Sequence, residues 1–391
     1  MKGMKQKILV MYGGVCPEHE VSIITALQVM EALKGGGFEV LPLYISKKGE
    51  WCWGDKRFLK PKLYKNLNEV VKLSKRVIVS PDSNWGILSK GWLGFGAMEE
   101  KVDVVFPVFH GRLGEDGAIQ GMLEHADLPY VGCGVLAGSV GIDKYVAKKM
   151  AESLGILVTE DKLVSSGEWK KNKKKVLNEV EKLKLPVFVK PVGLGSSIGM
   201  TKVKKISELE DALEVAFCYD TRVLVEEGVE ELKEVNISVL GNNPYQVSVT
   251  EEPVLESEIL SFENKYEGDS GKGKGMAGAK RFLPARIDRK TQKKIEKMTI
   301  DFFRAIGGKG IARIDFMISK DKKVYFNEIN TMPGSLAFYL WEKSGIPFKR
   351  LVRQLVELAI ESWTEKKRLT TTFENNILAG FSRKGLKGGK V

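Results

Sequence analysis

Short apolar runs separated by glycine-containing turns dominate the first 142 residues of the chain. The runs at residues 8–12, 39–45, 77–80 and 102–109 have the length and composition of β-strands. Residues 20–33 predict a helix between the first two strands. Strands that alternate with helices indicate an α/β domain built on an open parallel sheet, with helices covering its faces.

The pattern changes after residue 142, where shorter connections favour antiparallel strands. The elements predicted beyond this point are helices at residues 143–154 and 207–217, strands at 187–190, 198–203, 222–226, 235–240 and 246–249, and helices at 289–305 and 348–363. Two α+β units follow from this order. We therefore expect domains at residues 1–142, 143–226 and 227–365, and a basic tail at residues 366–391.

Four polar side chains interrupt two apolar strands, IARIDFMI and KVYFNEIN, that a short turn joins. They are Arg313, Asp315, Glu328 and Asn330. With the turn centred between residues 320 and 321, residue 313 would pair with 328 and residue 315 with 326, so all four would share one face. Two carboxylates and an amide oxygen suit Mg²⁺ or Mn²⁺ that also binds phosphate. The alternative is an ordinary salt bridge between Arg313 and Glu328.

Three loops at predicted strand ends combine glycine with polar side chains. In PVFVKPVGLGSSIGMTKV, Lys190 precedes glycines and Ser196, so backbone N–H groups and side chains can approach a phosphate. The order is not that of the Walker motif, and a flexible turn is the alternative. The loops GGVCPEHE and HGRLGEDG follow predicted parallel strands, where open α/β sheets bind ligands. They carry Glu18 and His110, although His110 also fits a structural role.

Composition limits the classes of protein that fit. The 391 residues are 43% hydrophobic and 29% charged, which is typical of a globular protein. Half of the net charge of +12 lies in residues 366–391, and no basic stripe alternates with aromatic residues, so we expect no specific nucleic-acid partner. The four widely spaced cysteines favour a reducing compartment, and no apolar run reaches the roughly 20 residues that span a bilayer, so we expect a cytoplasmic protein without a membrane segment.

Four motifs, taken in order, resemble those of the D-alanine–D-alanine ligase family of ATP-grasp enzymes over residues 8–345. They are GGxxxEHEVS, HGxxGEDGxxQGxLE, VKPxxxGSSxG, and RxDFM followed by NEINTxPG. The resemblance implies that ATP phosphorylates one D-alanine to an acyl phosphate, which the amine of a second D-alanine attacks. It also implies a homodimer that makes peptidoglycan precursors.

The resemblance assigns roles to individual residues. It implies that Glu18, Ser196, Tyr266, Arg313 and Ser335 act in catalysis, and that His110, Gly334 and Leu336 contact substrate. It implies that ATP is bound by Lys144, Lys190, Ser196, Glu226, Val229, Glu234 and Lys265, and that two Mg²⁺ ions are held by Asp315, Glu328 and Asn330. Lys265 and Tyr266 lie in a glycine-containing segment, residues 256–283, that we expect to act as a lid.

Two departures from the family pattern leave alternatives open. Glu227 stands where the family has a lysine, which removes one expected side-chain contact to the nucleotide. Pro333-Gly334 is followed directly by Ser335-Leu336, so either these two residues or Phe338 and Tyr339 form the acceptor pocket. The acceptor could accordingly be D-serine or D-lactate instead of D-alanine. A non-catalytic nucleotide-binding homologue is a further alternative.

Overall fold

The computed structural model describes residues 5–91, 94–229, 232–254 and 280–375. The first part of the chain forms a seven-stranded sheet with the order β6-β5-β4-β3-β2-β1-β7. Its strands are β1 (Lys7–Gly13), β2 (Glu39–Ile45), β3 (Trp51–Trp53), β4 (Lys75–Val79), β5 (Ile87–Gly91), β6 (Gly94–Glu100) and β7 (Val104–Val108).

The parallel arrangement predicted for this sheet holds for β1, β2 and β7, which are buried almost throughout. The other four strands add on in antiparallel fashion. A connection as short as residues 46–50 between β2 and β3 permits only a hairpin, because a parallel crossover needs a dozen residues or more. The sheet is therefore mixed within the predicted α/β class.

Eleven helices occur in the described part of the chain. They are α1 (His19–Gly35), α2 (Leu67–Lys72), α3 (Ala118–His125), α4 (Val135–Ile142), α5 (Lys144–Ser153), α6 (Ser166–Lys171), α7 (Lys173–Val180), α8 (Leu209–Phe217), α9 (Arg289–Ala305), α10 (Phe338–Lys343) and α11 (Phe348–Lys367). None of these described helices combines the length and the apolar character needed to span a membrane.

Two further four-stranded sheets are antiparallel. The second sheet, β10-β9-β11-β8, contains β8 (Asp161–Ser165), β9 (Val187–Pro191), β10 (Thr201–Val203) and β11 (Arg222–Glu227). The third sheet, β13-β12-β16-β17, contains β12 (Lys233–Leu240), β13 (Gln246–Val247), β16 (Ile311–Ile318) and β17 (Val324–Asn330). A two-stranded ribbon pairs β14 (Glu252–Pro253) with β15 (Arg281–Phe282).

The register predicted for the β16–β17 hairpin is wrong by two residues. Arg313 pairs with Asn330 and Asp315 pairs with Glu328, whereas Phe316 pairs with Phe326. The longer turn, closed by a 3.0 Å hydrogen bond from Ser319 N to the carbonyl of residue 323, accounts for one residue of the shift. A β-bulge after Asp315 accounts for the other. Because side chains alternate with a period of two, the four polar residues still share one face.

The first sheet and the last helix share one hydrophobic core. Ile8 of β1, Val29 of α1, Trp341 of α10 and Leu355 of α11 all belong to this buried cluster. The second sheet has a separate core with α6, α7 and α8. Distant parts of the chain are therefore packed together around the loops that follow β1, β7 and β17.

Candidate active site

A solvent-open cleft lies between the loops of the first sheet, the glycine turn after β9 and the polar face of the third sheet. Nine of the residues to which the family resemblance assigns roles line it, namely Glu18, His110, Lys144, Ser196, Glu234, Arg313, Glu328, Asn330 and Gly334. They come from separate regions of the chain, and the fold brings them to one place.

Glu18 and Ser196 join the first sheet to the glycine turn after β9. The Ser196 hydroxyl donates a hydrogen bond to Glu18 Oε1, and Glu18 is buried. Ser196 and Ser197 have φ angles of 52° and 57°, so the turn is left-handed here. A Cβ atom on Gly195 would stand 3.3 Å from the Glu18 carboxylate. Glycine therefore lets this backbone approach the acid closely.

The polar face of the β16–β17 hairpin contains two ion pairs. Arg313 donates two 2.7 Å hydrogen bonds to Asp315, and the Asn330 amide donates to Asp315 at 3.2 Å. Glu328 Oε2 lies 2.9 Å from Lys144 Nζ. Burial opposes the charge of Lys144, but Glu328 outweighs it and raises the pKa of the ammonium. Arg313 therefore pairs with Asp315, and Glu328 pairs with Lys144, instead of forming the salt bridge with each other that was the alternative prediction.

The donor set of this hairpin fits a divalent ion. Asp315 and Glu328 occupy directly paired positions, and Asn330 contacts Asp315. The Asn330 side chain can offer its oxygen by a flip of the amide, which keeps the same shape. Two carboxylates and one amide oxygen are the hard donors that Mg²⁺ prefers, and Lys144 and Arg313 neutralise the same carboxylates here.

Glu115 connects the loop after β7 to the segment after β17. Its carboxylate accepts hydrogen bonds from the backbone N–H groups of Gly111 and Met332, both at 2.8 Å. The pKa of Glu115 is raised to about 8, mainly because the group is buried and also because the charge of Glu18 lies nearby. This contact holds the loop that carries His110 against the strand end that leads to Gly334.

The raised pKa of Glu115 predicts that stability depends on pH. A carboxyl group with a folded pKa of about 8 adds stability below its unfolded pKa, and this contribution is lost as pH rises through about 8. We expect the urea concentration at the unfolding midpoint of the wild type to decrease as the pH rises from about 4.5, the ordinary pKa of the group, to about 8. The neutral side chain in Glu115→Gln should remove most of that slope. An unchanged slope in this variant would contradict the assignment.

A buried ionic cluster underlies the predicted nucleotide side of the cleft. Lys148 Nζ lies 3.0 Å from Glu226 and 2.9 Å from Asp161, and it also donates to both oxygens of Thr159 at 2.9 Å. Lys190 forms a second ion pair with Glu226. Burial opposes ionisation of Glu226, but the two lysines lower its pKa to about 2.

Comparison with known proteins agrees with this geometry. The D-ala D-ala ligase N-terminus model matches residues 7–133, and the D-ala D-ala ligase C-terminus model matches residues 150–357. The D-alanine--D-alanine ligase of Geobacillus thermodenitrificans is 38% identical over 379 residues, which are 95% of this chain and 100% of the relative. The chain belongs to the D-alanine–D-alanine ligase family.

Solved ligases have the same fold. The D-alanine-D-alanine ligase from Coxiella burnetii superposes with a TM-score of 0.76 at 28% identity, covering 93% of this chain and 96% of the other. The VanG D-Ala:D-Ser ligase from Enterococcus faecalis superposes with a TM-score of 0.77 at 33% identity, covering 91% and 100%. The ATP-grasp fold and an ATP-dependent ligase activity, both predicted from the motifs, are thereby confirmed.

Several predicted ligase residues do not line the cleft. Asp315 is buried beneath it through its bonds to Arg313 and Asn330. Lys190 and Glu226 form the ion pair described above, and Val229 borders a separate surface depression. Lys265 and Tyr266 lie outside the described residues, as does most of the segment predicted to be a lid.

The segment after Gly334 contains both residue pairs that were predicted to form the acceptor pocket of the ligase. Ser335 and Leu336 have left-handed φ angles of 49° and 55°. Leu336 is fully buried in the core, and the Ser335 backbone N–H donates to Thr25 at 3.1 Å. Tyr339 lines the cleft instead. Leu336 is therefore directed into the core, and Tyr339 is presented to the cleft.

Reasoning from the sequence did not assign sites to several cleft residues, namely Glu115, Asn236, Glu251 and Arg281. Glu115 stands within the HGRLGEDG motif, so the motif itself contained a signal for it. Asn236 interrupts the apolar strand β12, as Asp315 interrupts β16. Glu251 and Arg281 are far apart in sequence, and nothing in their local patterns indicates that they meet.

Proposed function

We propose that this ligase joins two D-alanine molecules at the expense of ATP, producing a dipeptide for peptidoglycan precursors. The observation that carries the proposal is the convergence of Arg313, Glu328, Asn330 and the Glu18–Ser196 pair on one cleft. A nucleotide-binding protein without catalysis would not need a guanidinium fixed beside a metal-type donor set. Family membership supports the same activity.

The first D-alanine is proposed to bind beside Glu18. This carboxylate is buried and is held by Ser196, so it can bind an ammonium group without rearranging. His110 accompanies it in the cleft, and Thr25 Oγ1 lies 3.2 Å from His110 Nε2. Burial lowers the pKa of His110, so the imidazole is neutral near pH 7 and adds no charge that would repel the ammonium.

Arg313 is proposed to stabilise the negative charge that develops as the second amine attacks the acyl phosphate. Its planar guanidinium is fixed by two hydrogen bonds to Asp315, so it is oriented before the reaction begins. Asp315, Glu328 and Asn330 would hold two Mg²⁺ or Mn²⁺ ions, which when bound neutralise phosphate oxygens. Lys144 would contact phosphate from the same side.

The nucleotide is proposed to bind between the second and third sheets. Lys190 lies near the end of β9, just before the glycine turn that we assign to the phosphates. Glu226 and Val229 mark the connection that would recognise adenine, and Glu234 would contact ribose. Lys265 and Tyr266 retain their proposed roles in phosphate binding and closure. Glu227, which stands where the family has a lysine, accepts a hydrogen bond from the backbone N–H of Lys184. It therefore offers the nucleotide no positive charge.

Incubation with ATP, Mg²⁺ and D-alanine tests the proposal directly. We expect ADP release that depends on D-alanine, and D-alanyl-D-alanine as the product in mass spectrometry. Heat-treated protein and L-alanine serve as controls. ADP release that ignores D-alanine would contradict the proposal.

D-serine as acceptor is the second candidate, because the D-Ala:D-Ser ligase from Enterococcus faecalis is 33% identical and superposes with a TM-score of 0.77. Competition between equal amounts of D-alanine and D-serine, with D-lactate in parallel, separates these acceptors by product mass. A mixed D-alanyl-D-serine product in excess would change the acceptor and leave the reaction class unchanged. We further propose, from the family resemblance, a cytoplasmic homodimer, which sedimentation velocity can test.

A further inference from the structure

A second polar cluster in the cleft surrounds the carboxylate of Glu251. Arg281 Nη1 lies 3.0 Å from Glu251 Oε1, and the Tyr339 hydroxyl donates to Glu251 Oε2 at 2.8 Å. The Asn236 amide N–H group approaches the same oxygen at 3.4 Å. All four residues line the cleft that also contains Arg313. The roles proposed above do not use Arg281, Glu251 or Asn236.

Arg281 is held in a fixed orientation. Its guanidinium carbon lies 4.2 Å from the centre of the Tyr339 ring, and only 12% of its side chain is exposed. Stacking of this kind directs the N–H groups outward in the plane of the guanidinium. The guanidinium also lines the cleft, and its planar fork matches the geometry of a carboxylate. It therefore suits recognition of a ligand carboxylate there.

The two arginines of the cleft have different partners. Arg313 is bound in a bidentate manner to Asp315, whereas Arg281 is paired with Glu251 on the β14–β15 side. Burial and Glu251 raise the pKa of the Tyr339 hydroxyl, and the charges of Arg313 and Arg281 oppose this rise. Both guanidinium groups line the same cleft as Tyr339, and Arg281 lies against the ring of this tyrosine.

Asn236 supplies an acceptor in the same region. Because the Glu251 carboxylate only accepts hydrogen bonds, the nitrogen of the Asn236 amide faces it, and Oδ1 points elsewhere. Within the described ranges this buried oxygen has no hydrogen-bond partner. A buried acceptor without a donor is costly, so an N–H group from a ligand would stabilise it.

We propose that Arg281 binds the α-carboxylate of the acceptor amino acid and that Asn236 Oδ1 accepts a hydrogen bond from the acceptor's amino group. Glu251 and Tyr339 act as positioning residues, since they hold the guanidinium in place. This inference rests on the proposed ligase activity and adds a specificity-determining residue to it. An acceptor with a free carboxylate is therefore required for efficient synthesis.

D-alaninamide separates acceptor binding from the rest of the reaction. It has an amine but no carboxylate, so it can accept an acyl group and cannot be phosphorylated. With ATP and D-alanine present, the two products differ in mass. We expect wild type to prefer D-alanine over D-alaninamide as acceptor by about 100-fold or more, because the site is built for the missing group. Arg281→Met should lower dipeptide formation about 100-fold at low D-alanine and change the amide product less than about 3-fold.

Two further variants serve as controls for the Arg281→Met experiment. Arg286→Met is the matched control, because Arg286 pairs with the neighbouring Glu252 at 2.6 Å but does not line the cleft, and we expect wild-type acceptor preference. Arg281→Lys keeps a cation near Glu251 and should recover part of the preference, even if Arg281→Met folds poorly. Equal losses of both products in Arg281→Met and Arg281→Lys, or no loss in either, would overturn the proposal. A wild type without D-alanine-dependent ADP release would instead refute the ligase activity itself.

Discussion

Replacement of Arg313 with alanine is expected to lower kcat for dipeptide formation by about 10²–10³-fold, the usual loss when a fixed donor to a developing oxyanion is removed. The Arg313 side chain is only 14% exposed and is held by two 2.7 Å hydrogen bonds to Asp315, so water cannot readily replace it. The loss should appear mainly in kcat, because the interaction strengthens as charge develops. Steady-state ADP release with saturating D-alanine and ATP provides the measurement.

Two comparisons separate chemistry from folding in this experiment. Arg313→Lys keeps the charge but cannot form the bidentate pair, so it should remain strongly impaired. Arg304→Ala removes an exposed arginine of α9 that pairs with Asp301 at 3.5 Å, and it should behave like wild type. Thermal unfolding of each variant shows whether the fold is intact. A folded Arg313→Ala protein with activity within 10-fold of wild type would be incompatible with the assigned role.

Lys148→Met is expected to lower the free energy of unfolding by about 3–5 kcal/mol, because it leaves buried carboxylates without their cation. Lys148 is 1% exposed and contacts both Asp161 and Glu226 within 3.0 Å. Lys190 still pairs with Glu226 in the variant, so Asp161 would lose the most. Urea unfolding at pH 7 provides the measurement.

The adjacent lysine is a matched control for this prediction. Lys149 lies 3.0 Å from Glu152 and 3.5 Å from Asp161, but its side chain is 41% exposed. Lys149→Met should therefore change stability by less than about 1 kcal/mol. Similar losses of unfolding free energy in both variants would show that burial does not determine how much the Lys148 cluster contributes to stability.

The polar face of the β16–β17 hairpin shows what the sequence can predict. Alternation in IARIDFMI and FNEIN determines which side chains share a face. The predicted shared face of the four polar residues was correct, because the error in the predicted register was an even number of residues. The register itself depends on a bulge and on a turn with Lys322 at a φ of 61°. Neither feature has a clear signature in residue type, so the pairing could not be predicted.

Contacts between distant segments were the least predictable part of the site. Family motifs indicated Glu18 and Ser196 separately, and the fold joins the two side chains through a hydrogen bond. In contrast, the meeting of Glu251, Arg281 and Tyr339 depends on how a ribbon, a strand and a helix pack together. Local periodicity contains no information about such packing.

The core shared by α1 and α11 has a consequence for biosynthesis. Residues near the start of the chain, such as Ile8 and Val29, are buried against Leu351 and Leu355 near its other end. More than 350 residues must therefore leave the ribosome before α11 can pack against α1. We expect the apolar surface that α11 covers to stay exposed until then, where chaperones can bind it.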